Sequence, residues 1–371
     1  MGQAEIRIDL DAIRHNVRLL RAAAPGVALM AVVKADGYGH GMVPVARAAL
    51  QAGADSLGVC TLDEALALRR AGITAPVLAW LLTPGLPLAD GVAAGIDLSA
   101  ASRAQLDELV AAAAAAGSPA RVHLKVDTGL SRGGATPVDW PALVEAAGKA
   151  QADGALEVVG VWSHLAYADA PWHPMIDQQL AGFQEALATA ERFGIHPTYR
   201  HIANSAPTLT RPDAHFDLVR PGISVYGLSP VAGETFGLRP AMTVQARVML
   251  SKRVPAGQGV SYGHTYHTSA ETTLAVVPLG YGDGVPRVAS NAGQVRLGGR
   301  NRTIAGRVCM DQLVLDCGDD PVASGDVAVL FGPGEDGEPT ADDWADLVGT
   351  INYEIVTRIG GPRLPKVYEH E

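Results

Sequence analysis

One lysine stands where a reactive amine would be placed. Lys34 ends the apolar run 28–33 (ALMAVV) and opens the glycine-punctuated segment KADGYGHG. An ordinary lysine, with a pKa of about 10.4, is neutral in only about one molecule in a few thousand at pH 7. Reactivity therefore requires desolvation or covalent capture, and a Schiff base with an aldehyde cofactor provides capture. The alternative is a surface lysine at a strand end, which the fully apolar run before it disfavours.

Polar side chains also follow the later strands of the same predicted series. They are Arg132 (KVDTGLSRGG), His164 (GVWSHLAYAD), Asn204 and Ser205 (HIANSA), and Arg220 with Gly222 and Ile223 (VRPGISVYG). Each has a simple structural alternative, such as a solvated arginine or a residue that caps a turn. Together they place a hydroxyl and a glycine-backed turn after the seventh and eighth strands, where barrel enzymes commonly bind phosphate. We therefore expect a phosphorylated ligand.

A second lysine is predicted to lie inside the barrel. Lys125 shares a strand face with His123 and Asp127, because side chains alternate along a strand with a period of two. A buried ammonium is costly unless it is paired. An ion pair between Lys125 and Asp127 is therefore one interpretation of this segment.

Several other chemistries are disfavoured by missing motifs. The sequence has no GxxxxGK[ST], no HxH or HExxH among its 11 histidines, and no GxSxG. These absences argue against nucleotide hydrolysis, a metal site and a serine nucleophile. Cys60, Cys309 and Cys317 lack CxxC spacing and are predicted to be reduced thiols.

The elements that position these residues alternate between short apolar strands and Ala-rich helices. The predicted strands are 28–33, 56–60, 76–82, 96–99, 121–127, 156–163, 199–203 and 216–220, with helices such as 10–23, 103–116 and 177–193. This alternation predicts an α/β fold, a (β/α)₈ barrel. An open doubly wound sheet is the alternative, and it is less favoured because no GxGxxG follows the first strand.

After Pro240 the sequence changes to a strand-rich pattern. The predicted strands are 242–253, 272–278, 294–297, 303–308, 312–316 and 326–331, followed by helices at 341–348 and 351–359. We expect a barrel domain over 1–238 and a β-rich domain over 239–371. The first residues are candidates for pairing with the second domain.

Composition limits the class of protein. The 371 residues are 48% hydrophobic and 18% charged, with a formal net charge of −10. This acidic balance opposes binding to nucleic acid or to an anionic membrane surface. The apolar stretch 75–82 falls well short of the roughly 18 residues that a membrane span needs. The first twenty residues lack the pattern of a secretory signal, so a cytoplasmic location is expected.

Eight motifs in order identify a likeness to a known family. AVVKADGYGHG, KVDTGLSRGG, HIANSA, VRPGISVYG, VSYGHTY, GYGDG, CMDQ and INYEI resemble those of the alanine racemases, pyridoxal 5′-phosphate (PLP) enzymes with a barrel and a C-terminal β domain. The likeness covers essentially the whole chain. Asp36 and Gly37 stand where related sequences often carry other small residues.

The resemblance implies a cofactor site. Lys34 would hold PLP as a Schiff base, and Arg220 would face its pyridine nitrogen. The remaining residues of the implied cofactor site, most of them around the phosphate, are Tyr38, His164, Asn204, Ser205, Gly222, Ile223 and Tyr353.

It also implies a reaction, the two-base interconversion of L- and D-alanine that supplies D-alanine for cell-wall peptidoglycan. Lys34 would serve one face of the substrate, and Tyr262 from the partner subunit of a homodimer would serve the other. The implied substrate-binding residues are Arg132, Tyr281 and Met310, and Lys125 is a candidate carboxylated lysine that holds Arg132.

The sequence leaves two alternative functions open. An amino-acid decarboxylase of the same fold is expected to carry an acidic residue at the pyridine nitrogen, where Arg220 stands. A noncatalytic PLP-binding protein would account for the barrel domain alone. The residues after Pro240 would then have no function.

Overall fold

The structure is a computed structural model that describes residues 2–370 and divides into two compact units. One unit comprises Ile13–Gly37 and Val45–Leu238. The other comprises the residues up to Ala12, the segment Tyr38–Pro44 and the residues from Arg239 onward. The second unit is therefore assembled from three separate parts of the sequence.

The secondary structure alternates along the first part of the chain and is mostly strand afterwards. The strands are β1 Ala4–Asp9, β2 Ala28–Val32, β3 Ser56–Val59, β4 Val77–Ala79, β5 Asp97–Ala100, β6 Ala120–Lys125, β7 Leu156–Trp162, β8 Tyr199–His201, β9 Leu218–Val219, β10 Met242–Arg247, β11 Leu250–Val254, β12 Gly259–Val260, β13 Tyr266–His267, β14 Thr272–Val277, β15 Gln294–Leu297, β16 Arg300–Thr303, β17 Leu313–Asp316, β18 Val327–Phe331 and β19 Lys366–Glu369. The helices are Leu10–Ala23, Met42–Gln51, Leu62–Arg70, Leu88–Ala93, Arg103–Ala116, Trp140–Ala152, Pro174–Arg192, Ser205–Thr210, Ala341–Val348 and Asn352–Arg358.

The barrel unit contains the eight parallel strands β2 to β9, which confirms the predicted barrel. Neighbouring strands pair in the order β8-β7-β6-β5-β4-β3-β2-β9. Backbone hydrogen bonds from Asp217 to Arg200 (3.1 Å) and from Arg220 to Ala203 (2.9 Å) join the two ends of this sheet. Strands such as β2 (ALMAV) and β4 (VLA) are continuous apolar runs because both faces of such a sheet are covered.

The helices between these strands begin and end at recognisable signals. The predicted helix 103–116 is confirmed as Arg103–Ala116, where the Ser102 side chain accepts a hydrogen bond from the backbone N–H of Gln105. Gly117 ends this helix with a φ of 69°, a left-handed conformation that glycine adopts without strain. Because this helix begins and ends at defined residues, the loops that connect it to β5 and β6 have defined lengths. The carboxyl ends of these strands, which carry the site, are therefore held at the same edge of the sheet.

A left-handed turn follows Lys34. Ala35, Asp36 and Gly37 have φ values of 53°, 51° and 61°, and the backbone N–H of Gly37 donates to the carbonyl of Val33 over 2.9 Å. A non-glycine residue in this conformation costs about 1–2 kcal/mol. The backbone N–H of Ala35 donates to the Glu64 carboxylate (2.7 Å), which anchors the strained turn at the end of β2.

The strand-rich unit contains three sheets among the described residues. A mixed sheet has the order β16-β15-β18-β10-β1-β19, an antiparallel sheet has the order β11-β14-β17, and β12 pairs with β13. β1 is antiparallel to β10 and parallel to β19. The N-terminal strand thus belongs to the strand-rich unit, although it precedes the barrel in the sequence.

The prediction for this unit differs from the structure in several elements. The run 242–253 is two strands, β10 and β11, and the strands β12, β13 and β19 were not predicted. The strand predicted over 303–308 is wrong, because β16 ends at Thr303. The chain turns at Gly306, whose φ is 82° and whose α-carbon packs so closely on the carbonyl of Val260 that a side chain would clash.

No helix among residues 2–370 is long and apolar enough to span a membrane.

Candidate active site

Most of the predicted site residues lie at the carboxyl ends of the barrel strands. This end is where the loops of (β/α)₈ barrels carry functional side chains. The residues of the barrel unit found there are Lys34 after β2, Lys125 at the end of β6, Arg132 in the loop after β6, His164 after β7, Asn204 and Ser205 after β8, and Arg220, Gly222 and Ile223 after β9.

Positive charge is concentrated at this end of the barrel. The half-buried ammonium of Lys125 lies 4.3 Å from the centre of the Trp162 ring, and the Arg220 guanidinium lies 4.9 Å from it. Burial and the charges of Arg220 and Arg132 lower the pKa of Lys125 to about 8. These cations repel one another, so the site favours an anionic ligand that would separate their charges.

His164 is neutral at pH 7 in this environment. Burial, followed by the charges of Arg220, Arg132, Lys125 and Lys34, lowers the pKa of its imidazole well below the usual value. His164 can therefore donate or accept a hydrogen bond at neutral pH but does not supply positive charge.

Arg220 is buried and held from several directions. Its Nη2 donates to the carbonyl of Ser163 over 2.9 Å, and its Nη1 lies 2.9 Å from His201 Nδ1. Burial lowers the pKa of the guanidinium to about 9, which leaves it protonated at neutral pH. The side chain is a fixed hydrogen-bond donor, because a guanidinium has no acceptor atom.

The turn after β9 is bonded to the helix that begins at Ser205. The buried Ser205 hydroxyl accepts hydrogen bonds from the backbone N–H of Gly222 (2.8 Å) and of Ser224 (3.3 Å). Its own proton is left to donate to an anion. Next to it, Asn204 Oδ1 is buried and has no hydrogen-bond partner among residues 2–370. A buried polar atom without a partner indicates a place where a ligand completes the hydrogen bonding.

The loop that carries Arg132 is organised by Asp127. One carboxylate oxygen of Asp127 accepts backbone hydrogen bonds from Gly129, Leu130 and Ser131 over 2.9–3.2 Å. Lys125 and Asp127 form no ion pair within the part of the chain that the structure describes. The ion-pair interpretation of Lys125 is therefore wrong, because the aspartate is engaged by its own loop.

Two of the tyrosines expected near the phosphate pack together in the strand-rich unit. The ring centres of Tyr38 and Tyr353 are 6.2 Å apart. Gly39, next to Tyr38, packs so closely on the carbonyl of Val356 that a side chain would clash. Their expected role at the phosphate stays a prediction of the family resemblance.

Tyr262 is the most exposed tyrosine of the predicted site. Its side chain is 72% exposed and stands in a short helical turn, directly after Ser261, whose hydroxyl donates to the carbonyl of Arg307 over 2.7 Å. A tyrosine on a fixed turn with its ring in solvent is available to a second molecule.

The structure brings Tyr281 and Met310 together in the strand-rich unit. Their loops are joined by backbone hydrogen bonds from Tyr281 to Cys309 (3.0 Å) and from Gly282 to Met310 (2.8 Å). Arg363 also bridges the two loops, with Nη2 donating to both Asp283 oxygens at 2.9 Å and Nη1 donating to Asp311 at 2.6 Å. Both side chains are exposed on a single braced surface.

The sequence did not identify Trp162 and His201 as parts of the site. The two rings stack with 2° between their planes, and the Trp162 indole N–H donates to Ser99 over 3.0 Å. Both residues end barrel strands, and a polar or aromatic residue in that position is the signal that would have identified them.

These observations fit an anionic, phosphate-bearing cofactor that reacts with an amine. The barrel unit offers an amine at Lys34, a buried guanidinium at Arg220 and an available hydroxyl proton at Ser205 beside the unpartnered Asn204 oxygen. The donor set consists of cations, hydroxyls and backbone N–H groups, which are the groups that bind phosphate.

Comparison with known proteins gives the same family over the whole chain. Residues 8–230 match the family model for the alanine racemase N-terminal domain, and residues 241–368 match that for the C-terminal domain. An alanine racemase of Salinispora arenicola is 73% identical over 371 residues, which is all of both chains. One from Streptomyces coelicolor is 57% identical over 378 residues, covering 100% of this chain and 96% of the relative.

A solved structure shows the same likeness in three dimensions. The crystal structure of an alanine racemase from Streptomyces lavendulae has a TM-score of 0.98 and 55% sequence identity. The match covers 100% of this chain and 98% of that one.

Proposed function

The chain belongs to the alanine racemase family, and we propose that Lys34 and Tyr262 are the two acid/base groups with which it interconverts L- and D-alanine. The family is PLP-dependent, and racemisation of alanine follows from the high identity over the full chain. The main evidence for this assignment is the position of Lys34. Its amine lies at the end of the barrel where several cationic side chains and the buried Ser205 hydroxyl are also found.

The barrel residues suit the parts of PLP that they would hold. The Lys34 amine would bind the aldehyde, while the Ser205 hydroxyl and the backbone N–H of Ile223 would bind the phosphate, with the Gly222 N–H orienting the Ser205 hydroxyl. Arg220 would donate to the ring nitrogen, with His164 and Asn204 beside it. When bound, PLP withdraws electrons from the substrate and so makes the proton on Cα removable.

Arg220 also limits how strongly electrons are withdrawn. A guanidinium donates a hydrogen bond without giving up its proton, so Arg220 would leave the ring nitrogen unprotonated. The cofactor would then withdraw less electron density from Cα, which would favour rapid return of a proton over transamination. This supports racemisation as the chemistry of the site.

Racemisation needs one group on each face of Cα, one to remove a proton and one to return it. The Lys34 amine serves one face, since substrate displaces it from the cofactor. We assign the other face to Tyr262 of a second copy of the chain, in a homodimer, because the exposed ring is available to a partner. Tyrosine needs nearby positive charge to act as a base. Arg220 supplies that charge, whereas His164 is neutral.

We infer the substrate-binding residues from the family resemblance and from the loops that hold each of them. The Arg132 guanidinium is positioned by the Asp127 loop and would bind the substrate carboxylate. Tyr281 and Met310, on the braced loops of the strand-rich unit, would limit the size of the substrate side chain to that of alanine.

Exchange at Cα in D₂O tests the two roles separately. Wild-type enzyme should place deuterium in both products and invert either enantiomer. A Tyr262→Phe variant should lose racemisation by about 10²–10⁴-fold, the usual contribution of one acid/base group. Because Lys34 still serves its own face, the variant should exchange the Cα proton of one enantiomer only, measured by NMR with chiral chromatography. Equal residual exchange of both enantiomers would contradict the assignment.

We propose, from the family resemblance and from its half-buried position beside Trp162 and Arg220, that Lys125 is an N-carboxylated lysine. The neutral amine adds to CO₂, forming an N–C bond and releasing one proton. The carbamate would place negative charge between Arg132 and Arg220, which now repel the ammonium. This modification would hold Arg132 in place.

Stability as a function of pH and bicarbonate tests Lys125. The folded-state pKa of about 8 lies below the unfolded value of about 10.4, so the unfolded state binds more protons between them. In CO₂-free buffer the stability of wild type relative to Lys125→Met should therefore rise with pH across this interval. Added bicarbonate near pH 8 should stabilise wild type but not the variant, since carbamate forms only in the folded state.

Urea unfolding measures both effects, and the exposed Lys149→Met is the control for losing one positive charge. A bicarbonate response that is the same in all three proteins would exclude the carbamate.

A further inference from the structure

A chain of buried polar side chains runs through the barrel from Arg220 to Asp97. Arg220 Nη1 lies 2.9 Å from His201 Nδ1, His201 Nε2 lies 2.9 Å from His123 Nδ1, and His123 Nε2 lies 3.3 Å from Asp97 Oδ2. All four residues are buried. The four side chains come from β5, β6, β8 and the end of β9.

The chemistry of the end groups fixes the direction of every hydrogen bond in this chain. Arg220 has only donors, so His201 Nδ1 must accept and the proton of His201 lies on Nε2. That proton is donated to His123 Nδ1, which leaves the proton of His123 on Nε2. Asp97 then accepts from His123. Burial, followed by the charge of Arg220, holds the pKa of His201 well below its usual value, so its ring is neutral.

The surrounding backbone makes room for these two rings. The register of β6 and β7 shifts between Val122 and His123. A β-carbon on Gly160 would lie only 2.2 Å from His123 Nδ1, so the glycine leaves the space that the imidazole occupies. The indole of Trp162 stacks flat on His201 and fixes the plane of the second ring.

This series of hydrogen-bonded side chains also connects Arg220 to the carboxylate of Asp97. No carboxylate of residues 2–370 forms an ion pair with Arg220, and only burial changes the pKa of its guanidinium. Asp97 is ionised at the far end. Burial alone would raise the pKa of Asp97, but the hydrogen bonds from His123 and Arg121 and the charge of Arg121 outweigh it and lower the pKa below its usual value.

We propose that Asp97 and His123 are positioning residues of the racemase: they fix the tautomer of His201, and His201 thereby holds the Arg220 guanidinium at a set orientation. The proposal rests on the proposed function of Arg220 at the ring nitrogen. Without the Asp97 acceptor, His123 can place its proton on Nδ1, which then faces the Nε2–H of His201. Two N–H groups would then face each other, which would displace His201 and change the direction in which Arg220 donates its hydrogen bond.

The tautomers themselves are the first test. Protein labelled with ¹⁵N in histidine distinguishes an Nδ1–H from an Nε2–H ring by the couplings of the ring nitrogens to carbon-bound protons. In wild type, both His123 and His201 should be neutral Nε2–H tautomers, with and without cofactor. An Nδ1–H tautomer or a charged imidazolium at either residue overturns the proposal.

Asp97 provides a matched pair of variants for the second test. Asp97→Ala and Asp97→Asn both remove the charge that pairs with Arg121. Only the alanine removes the acceptor for His123, because the asparagine side chain keeps a carbonyl oxygen. The asparagine variant should keep the two Nε2–H signals and activity within about threefold of wild type, while the alanine variant should lose both.

Kinetics separates positioning from a general structural effect. His123→Phe keeps a ring but removes its nitrogens, and kcat should fall about 10–100-fold while KM for alanine changes less than about threefold. The control is Trp140→Phe, which also keeps a ring while removing a buried hydrogen bond, the one to the carbonyl of Ala186, between two helices outside the barrel strands. If both variants lose the same small amount of kcat, the proposal is wrong.

An Arg220→Glu variant distinguishes a failure of the role proposed for Arg220 from a failure of the positioning role proposed for Asp97 and His123. If this variant racemises at the wild-type rate, the assigned role of Arg220 fails, whatever the histidine signals show. If it is slow while the histidine tautomers of wild type differ from those expected, the role of Arg220 stands and the positioning proposal fails.

Discussion

Replacing Lys34 with alanine is expected to lower the rate of racemisation by about 10⁴-fold or more, because the side chain is proposed both to hold the cofactor and to serve one face of the substrate. The variant should also lose the visible absorbance that marks a covalent link between protein and cofactor. Lys149→Ala, which removes an exposed helical lysine, is the control and should keep both properties.

Reduction with borohydride identifies the linked amine directly. In wild type, peptide mass spectrometry should find the reduced cofactor on Lys34. Finding it on Lys125, the other lysine at this end of the barrel, would overturn the assignment of Lys34.

Mixed dimers are expected to recover activity from two inactive parents. Lys34→Ala and Tyr262→Phe subunits are each nearly inactive alone. If each site takes Lys34 from one chain and Tyr262 from the other, a mixed dimer has one intact site and one site that lacks both groups. Random exchange makes roughly half of the dimers mixed, so about a quarter of the wild-type activity should return.

Subunit exchange must be shown independently, with a tag on one partner and recovery of the untagged chain. A site built within one chain gives no recovery, because neither subunit carries both groups. Given confirmed exchange, activity that stays at the level of the separate variants would refute the assignment of Tyr262 to the partner's site.

The barrel could be predicted from the sequence because its strands are nearly continuous apolar runs. Runs such as ALMAVV have that composition because a parallel sheet is covered on both faces. β16 has the sequence RNRT and β19 the sequence KVYE, and both lie at edges of the six-stranded sheet. Edge strands of this kind carry too few apolar residues to be distinguished from loops.

The site was predictable in part for a similar reason. Lys34, Arg132 and Arg220 stand after predicted strands, so their shared location follows from the barrel alone. The contacts among His123, His201 and Asp97 could not be predicted, because they depend on strand register. The first two residues are 78 positions apart, and the shift between β6 and β7 that admits the His123 ring has no signal in the sequence beyond Gly160.

Strand β1 places a constraint on the order in which the protein folds during synthesis. Glu5 receives a hydrogen bond from Gln245, 240 residues later, and Arg7 donates to Glu369 over a separation of 362 residues. At about 5–20 residues per second, the ribosome needs roughly 20–70 s to make the last of these partners. Every strand of the barrel, up to β9 at Val219, is made before β10 begins at Met242, so β1 has neither of its partner strands until the barrel strands are complete. The segment must therefore stay unpaired while the barrel forms, and its alternating glutamate and arginine, Glu5 and Arg7, would keep it from pairing with other nascent chains.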